Sequence, residues 1–235
     1  MPTFTLASFN ICSAHFREGR FTPENLDLIA EKINLCEADV ACLQEVDRGA
    51  ARSDRVNMPA YLAERTGLKH HYFIKIRDFQ GGEYGTAILS RFPILDAQTI
   101  HYPVKIATQG TSCGYAVLDV EGSPATVFNT HLSIENEESN TETLCCLGEV
   151  LKEHLRADPK GFVCCGDFNT APDKVIRYIP WVKLAHDGLV TYADRSIDHI
   201  LCAGSCETAH PRTMDTQWDR STDHNMLLAD VTVWN

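Results

Sequence analysis

Five times along the chain an apolar, strand-like run gives way to polar residues of a catalytic type. SFN closes on Asn10, LQE closes on Glu45, and FNTH carries Asn129 and His131. GDFN carries Asp167 and Asn169, and SIDH with the later STDH supplies Asp198, Asp223 and His224. Polar groups set at strand ends on a rigid sheet can converge on one rim. The carboxylates and carboxamides among them are hard oxygen donors that suit Mg²⁺ or Mn²⁺ better than zinc. No serine stands in a nucleophile elbow, and there is no glycine-rich phosphate cradle of the Walker type. Metal-assisted attack of water on phosphorus is the reaction class that uses this inventory best. Taken singly, each segment also reads as ordinary structure. GDFN suits a surface turn, Asp223 a cap, His131 a half-buried histidine satisfied by a carbonyl, and Glu45 an exposed strand end. Their joint occurrence in this order argues for chemistry.

The elements that must position these groups alternate strands with a few helices. TFTLASFN has period-two alternation, a strand signal. Thr22-Pro23 offers an N-cap and a proline at the first helical position, followed by Leu26, Ile29 and Ile33 at helical spacing. ADVACLQE reads as a buried strand that delivers side chains at its end. Residues 46–58 are polar and read as a loop, 59–66 as a short helix stopped by Gly67. HHYFIKIR and YGTAILS form a hairpin around Gly81-Gly82. Strands follow near 94–102, 113–120 and 125–130. Leu144, Leu147, Leu151 and Leu155 mark an amphipathic helix that ends before Pro159. GFVCCGDFN, SIDHILC and NMLLADVTVW complete the strands. The pattern of about ten strands against three or four helices suggests two packed sheets flanked by helices.

The whole chain of 235 residues reads as one α/β domain, with no linker or repeat. No run approaches the ~18 uninterrupted apolar residues of a membrane span, and no secretory signal opens the chain. Ten cysteines, two pairs of them adjacent and many in apolar runs, suit a reduced, cytoplasmic protein rather than a disulfide framework. The formal net charge of −11 weighs against long DNA as substrate, because nonspecific nucleic-acid binding relies on a basic face.

The ordered set N…QE…NTHL…GDFN…IDHI…TDH resembles the endonuclease/exonuclease/phosphatase superfamily, from Asn10 to the last strand. The stretches QEVDRGAARSDRVNMPAYLAERTG and GGEYGTAILSRFPI are similar to its short bacterial-type members. The resemblance implies a four-layered α/β sandwich, two packed, mostly antiparallel mixed sheets flanked by helices, and a Mg²⁺- or Mn²⁺-dependent phosphoric ester hydrolase. Carried over by residue, it makes Glu45 the principal metal ligand, with Asn10 beside it and Asp223 near the same ion. Asp167 and Asn169 orient or activate the attacking water, and His224 is general base or phosphate-stabilising cation. Asp198 fixes the His224 tautomer, and His131 contacts the phosphate oxygens. Arg48, Tyr84 and Asn129 are the candidate substrate contacts. Two departures stand out. Some relatives have an acidic metal ligand two residues after the first Asn, where this chain has Cys12, a poor Mg²⁺ ligand, so one ion is expected. Many follow the last Asp-His with Arg, where this chain has Asn225.

The expectation for function is a phosphodiesterase or phosphatase, acting as a monomer on a small-molecule or lipid-headgroup phosphate ester. Compact length and acidic charge favour it over a DNA or RNA nuclease with the same site. A third reading, a binding protein that kept the fold and lost turnover, is disfavoured by the intact Glu45, Asp167, Asn169, Asp223 and His224. Specificity is expected from the loops at 46–58, 76–84, 103–112, 133–141 and 210–221.

Overall fold

The computed structural model describes residues 1–109, 111–216 and 218–233; Gly110 and Gln217, within two of the expected specificity loops, and Trp234, at the end of the expected last strand, lie outside the described residues. Strands β1 (Thr3–Asn10), β2 (Val40–Arg48), β3 (His70–Phe79), β4 (Gly82–Ser90), β11 (Cys206–Met214) and β12 (Met226–Val233) form one sheet in the order β11-β12-β1-β2-β4-β3. Strands β5 (Ile94–His101), β6 (Ser112–Val120), β7 (Ser123–His131), β8 (Gly161–Asp167), β9 (Lys183–Leu184) and β10 (Asp198–Gly204) form the other, in the order β5-β6-β7-β8-β10-β9.

Each sheet is antiparallel except for one central pair, β1 with β2 and β7 with β8. Parallel neighbours need a crossover. Helix α1 (Pro23–Leu35) supplies the first and α3 (Glu137–Ala157) the second. Thr22 caps α1 as its sequence suggests, its side chain accepting from the Asn25 amide with Pro23 in the first turn. Asn136 and Ser139 form a reciprocal capping box on α3. Two shorter helices, α2 (Met58–Thr66) and α4 (Pro172–Tyr178), complete the described set.

Period-two alternation sorts each strand into two faces. Phe4 and Leu6 of β1, Val40 and Cys42 of β2, Val127 of β7, Val163 and Cys165 of β8 and Ile200 of β10 meet between the sheets. Phe9 and Leu43 pack outward under α1 and α2. Phe128, Phe162 and Cys164 pack outward under α3 and α4. The result is the expected sandwich of helices, sheet, sheet and helices. The parity also dictates the site. Continuing the inward-facing positions to the strand ends gives Asn10 on β1, Asn129 and His131 on β7, Asp167 on β8 and Asp198 on β10.

Three features depart from the sequence reading. The segment 46–58 is not one loop: β2 runs on to Arg48, a 3₁₀ turn covers Ala51–Ser53, and α2 already begins at Met58. β11 is unforeseen because CETAHPRTM is polar and holds Pro211. It is an edge strand, exposed over much of its length, with a bulge between Ala209 and Arg212 that accommodates the proline. α4 and the two-residue β9 are too short for periodicity to reveal. No described helix is long and apolar enough to cross a membrane, and the described cysteines are free thiols.

Candidate active site

The two parallel pairs deliver their side chains at the same end of the sandwich. In register, Asn10 lies opposite Gln44, one residue before Glu45, and His131 lies opposite Asp167. Carboxyl ends of parallel strands are where open α/β sheets place their ligands. Asn10 Nδ2 joins the two sheets there, donating to Glu45 Oε1 at 3.2 Å and to Asp167 Oδ2 at 3.0 Å.

The backbone is strained where it enters the site. Cys12, Ser13 and Ala14, directly after β1, all have positive φ, as do Glu45 and Asn169. Non-glycine residues cost about 1–3 kcal/mol each in such conformations and persist where the surroundings over-determine them. Here Asn10 Oδ1 accepts from the Cys12 amide at 3.0 Å, and Ser13 Oγ donates to the Glu45 carbonyl at 2.9 Å. Arg52 donates to Ser13 Oγ and grips buried Asp47 with two nitrogens, at 2.7 and 2.9 Å. At Glu45 the strand bulges between Leu43 and Val46, which turns the carboxylate toward the cavity. Asn169 is held by its amide on Asp167 Oδ1 (2.9 Å) and by Nδ2 on the Leu132 carbonyl (3.1 Å).

One oxygen is the focus of the arrangement. Asp167 Oδ2 lies 3.0 Å from Asn10 Nδ2, 3.5 Å from His131 Nε2 and 3.8 Å from His224 Nε2. On the far side of its ring, His224 Nδ1 is 2.9 Å from Asp198 Oδ2. Burial alone would lower the His224 pKa. The facing carboxylates of Asp198, Asp167 and Asp223 outweigh it and carry the value up to about 9. Burial and the neighbouring Asp167 also push the Asp198 carboxyl upward. The pair shares one proton, and we place it on the imidazole, which faces three carboxylates.

The loop that carries Asp223 and His224 is fastened at several points. Thr222 Oγ donates to the Asn10 carbonyl at 2.8 Å and accepts from the His224 amide at 3.2 Å. Lys32 of α1, only 1% exposed, donates to Asp219 and to Ser221 Oγ. Thr191 Oγ accepts from the amides of Ile197 and Asp198, while its carbonyl accepts from the Asn225 amide at 2.6 Å. Asp198 and His224 are thereby positioned through one residue.

These groups open into a cavity of about 550 Å³. Glu45, His131, Asp167, Asn169, Asp223 and His224 line it, as does Tyr84. Asn10 and Asp198 stand behind the wall, 1% exposed each. Two expected substrate contacts lie outside the cavity lining. Asn129 is fully buried between the sheets, donating to the Leu43 and Ala87 carbonyls at 3.0 and 2.9 Å and accepting from Gln44 at 2.8 Å, so it pins the two sheets and does not line this cavity. Arg48 is paired with Glu83, lies over the Phe73 ring and is absent from the cavity lining. Cys12, His15, Tyr192 and Arg195 line the cavity without having been singled out as site residues. Residues 186–197 carry neither alternation nor a catalytic-type strand end, so the sequence offers no signal for the last two.

For a metal, the donors fall in two groups. Asp167, Asp198 and His224 bring ligand atoms within 4.8 Å of one another, a grouping able to hold an ion. Two of those three already satisfy each other through the 2.9 Å bond. Glu45 and Asp223 instead present carboxylates to the cavity, both near Cys12. The Cys12 thiol donates to Asp223 Oδ1 at 2.7 Å, and burial followed by those two carboxylates drives its pKa upward, so it adds no negative charge.

Comparison with known proteins agrees with this fold. A solved endonuclease/exonuclease/phosphatase from Beutenbergia cavernae superposes with a TM-score of 0.74 at 20% identity, covering 99% of this chain and 72% of that one. The human Nocturnin catalytic domain, solved with a bound sulfate anion, gives 0.76 at 18% identity, covering 99% and 95%. A mannosyl-6-phosphatase of Bacteroides thetaiotaomicron gives 0.73 at 14% identity, covering 97% and 99%. These likenesses show the fold. No curated protein matches the sequence. The model of the Endonuclease/Exonuclease/phosphatase family matches residues 7–224, nearly the full length, and the chain belongs to that family.

Proposed function

We propose that the chain is a divalent-metal-dependent hydrolase of phosphate esters, acting on a small-molecule or lipid-headgroup substrate. The observation that carries this reading is the Asp167 carboxylate set among Asn10, His131 and His224, with Asp198 behind His224. Hydrolysis of a phosphate ester drives a nucleophile at an anion, so the site must supply both a positioned water and positive charge. Asp167 and Asn169 orient the water. His131 and protonated His224 donate to the phosphoryl oxygens, where charge develops.

The donor set fits one Mg²⁺ or Mn²⁺ ion. Glu45 and Asp223 are hard ligands that face the cavity; Asn10, beside them, would join the set by turning its carboxamide oxygen from the Cys12 amide toward the ion, and the neutral Cys12 thiol occupies the place where another carboxylate would favour a second ion. When bound, such an ion neutralises the phosphate and stabilises the leaving oxygen. Tyr84, which lines the cavity, is a substrate contact in this reading.

The cavity volume supports a small substrate, since pockets of about 300–1,000 Å³ take drug-sized molecules. The −11 charge also weighs against a nuclease. The test is release of p-nitrophenol from bis-p-nitrophenyl phosphate and p-nitrophenyl phosphate by metal-stripped protein, with and without added Mg²⁺ or Mn²⁺. Turnover should require the ion and vanish in Asp167→Ala while the melting transition survives. Turnover that persists in that variant, or that ignores the ion, overturns the proposal. Preference for plasmid DNA or RNA over small esters would favour the nuclease reading.

A further inference from the structure

Among the described residues that line the cavity, Arg195 is the one lysine or arginine, set against the carboxylates of Glu45, Glu135, Asp167 and Asp223. Those acids have other roles. Glu135 accepts the backbone amides of Thr108 and Gln109, and Asp167 and Asp223 belong to the catalytic cluster. Among the described residues no carboxylate forms an ion pair with Arg195. Its guanidinium lies instead over the Tyr192 ring, 5.1 Å from the centroid, and that ring packs 4.8 Å from the imidazole of His224.

The segment is a tight turn rather than a loose loop. Arg195 N donates to the Tyr192 carbonyl at 2.8 Å, and the Thr191 and Tyr192 amides return bonds to the Arg195 carbonyl at 2.9 and 3.0 Å. Thr191 fastens the turn to Asp198 and to Asn225. A cation is thus held at the cavity rim, on the same framework as the catalytic histidine and two ring contacts away from it. Stacking fixes the plane of a guanidinium, and a fixed plane lowers the cost of meeting a carboxylate or phosphate with two hydrogen bonds.

From this we infer that Arg195 is a specificity-determining residue that reads a second anionic group on the substrate, beyond the phosphoryl group at His224. The substrate class is therefore a phosphate ester with a further phosphate or carboxylate, such as an organic bisphosphate. A choline-type headgroup, with a fixed positive charge at that point, would be repelled. The inference rests on the hydrolase reading only for which phosphate is cleaved.

Binding separates the two ideas. Glucose 1,6-bisphosphate and glucose 6-phosphate differ in one anionic group, and their affinities can be measured by calorimetry on full-length Asp167→Asn protein with Mg²⁺. The bisphosphate should bind about 10–100-fold more tightly, the value of a charge-assisted bidentate contact. Arg195→Glu should abolish that ratio and Arg195→Lys should retain part of it. The same ratio read as kcat/KM in the otherwise unaltered chain is a second measurement, should the background substitution impair folding. A ratio near one in the parent, or one that Arg195→Glu leaves unmoved, overturns the inference. A 5′-phosphorylated thymidine dinucleotide assigns the source of the second charge: tighter Arg195-dependent binding than the bisphosphate would place it on a neighbouring backbone phosphate. Arg195-dependent binding without turnover of any ester would strike the hydrolase reading and leave this one standing.

Discussion

His224 Nδ1 and Asp198 Oδ2 stand 2.9 Å apart with both side chains nearly inaccessible, and the opposite edge of the same imidazole faces Asp167. Asp198 thus holds the proton on the ring and fixes the direction in which the ring points. Asp198→Asn keeps the shape and removes the charge that holds the proton on His224. Turnover of bis-p-nitrophenyl phosphate should fall by about 10²–10⁴-fold, the usual worth of positioned acid–base groups, with little change in KM. A variant that retains its kcat would show that the pair is structural only.

Asn129 supports the fold rather than the substrate. Its three hydrogen bonds reach Gln44 on β2 and the carbonyls of Leu43 and Ala87, all on the sheet opposite its own. Asn129→Ala strips the buried carbonyls of Leu43 and Ala87 of this donor, while Gln44 Nε2 keeps its bond to the Cys42 carbonyl. Each loss costs about 1–3 kcal/mol, so the urea midpoint should drop markedly. An unchanged midpoint together with a raised KM would restore Asn129 as a substrate contact.

Lys32 is a buried cation whose task is to hold Asp219 and Ser221, five and three residues before the catalytic pair's His224. Lys32→Met fills similar volume but strands the Asp219 carboxylate. We expect a loss of about 3 kcal/mol in stability, since breaking a buried pair from one side is costly, and a fall in kcat as the loop loosens. Equal stability of the methionine variant would mean that Asp219 readily reaches water.

Acid should weaken the protein through His199. This ring is fully buried, with one nitrogen 2.7 Å from the Thr170 carbonyl and His186 beside it. Burial foremost, opposed by the Thr170 bond and reinforced by His186, holds its pKa down at about 4. The unfolded chain takes up this proton near the ordinary histidine value of about 6.5. Stability is therefore full above that pH and is lost as pH falls toward 4, by up to about 3 kcal/mol. Urea midpoints between pH 7.5 and 4 should show this slope, and His199→Asn should flatten it. A slope identical in both proteins rules His199 out as its source.

Much of this was legible in the sequence because strands that face a core on both sides end abruptly in polar residues. SFN, NTH and GDFN are such endings, LQE reaches the bulge inside β2 and IDH opens β10, and Asn10, Glu45, His131, Asp167, Asn169 and Asp198 all arrive at one end of the sandwich. Asn129 shows where the rule fails. It has the same parity as His131 but lies one step deeper, and alternation does not say how far a strand runs before the cavity opens. Arg48 fails for another reason: nothing in the spacing foretold Glu83 as its partner across β2 and β4. Tyr192 and Arg195 sit on a turn whose place is set by hydrogen bonds to distant segments, which no local pattern encodes.

The bond from Asn10 to Asp167 crosses from one sheet to the other, and the groups assembled around it come from both. Neither half of the chain owns the reaction. The inward faces of the two sheets, packed through residues such as Val127, Ile88 and Leu227, act as a vernier that sets the spacing of the reacting groups. A methyl group added or removed deep in that layer, well away from the cavity, can therefore retune the chemistry without touching a single catalytic atom.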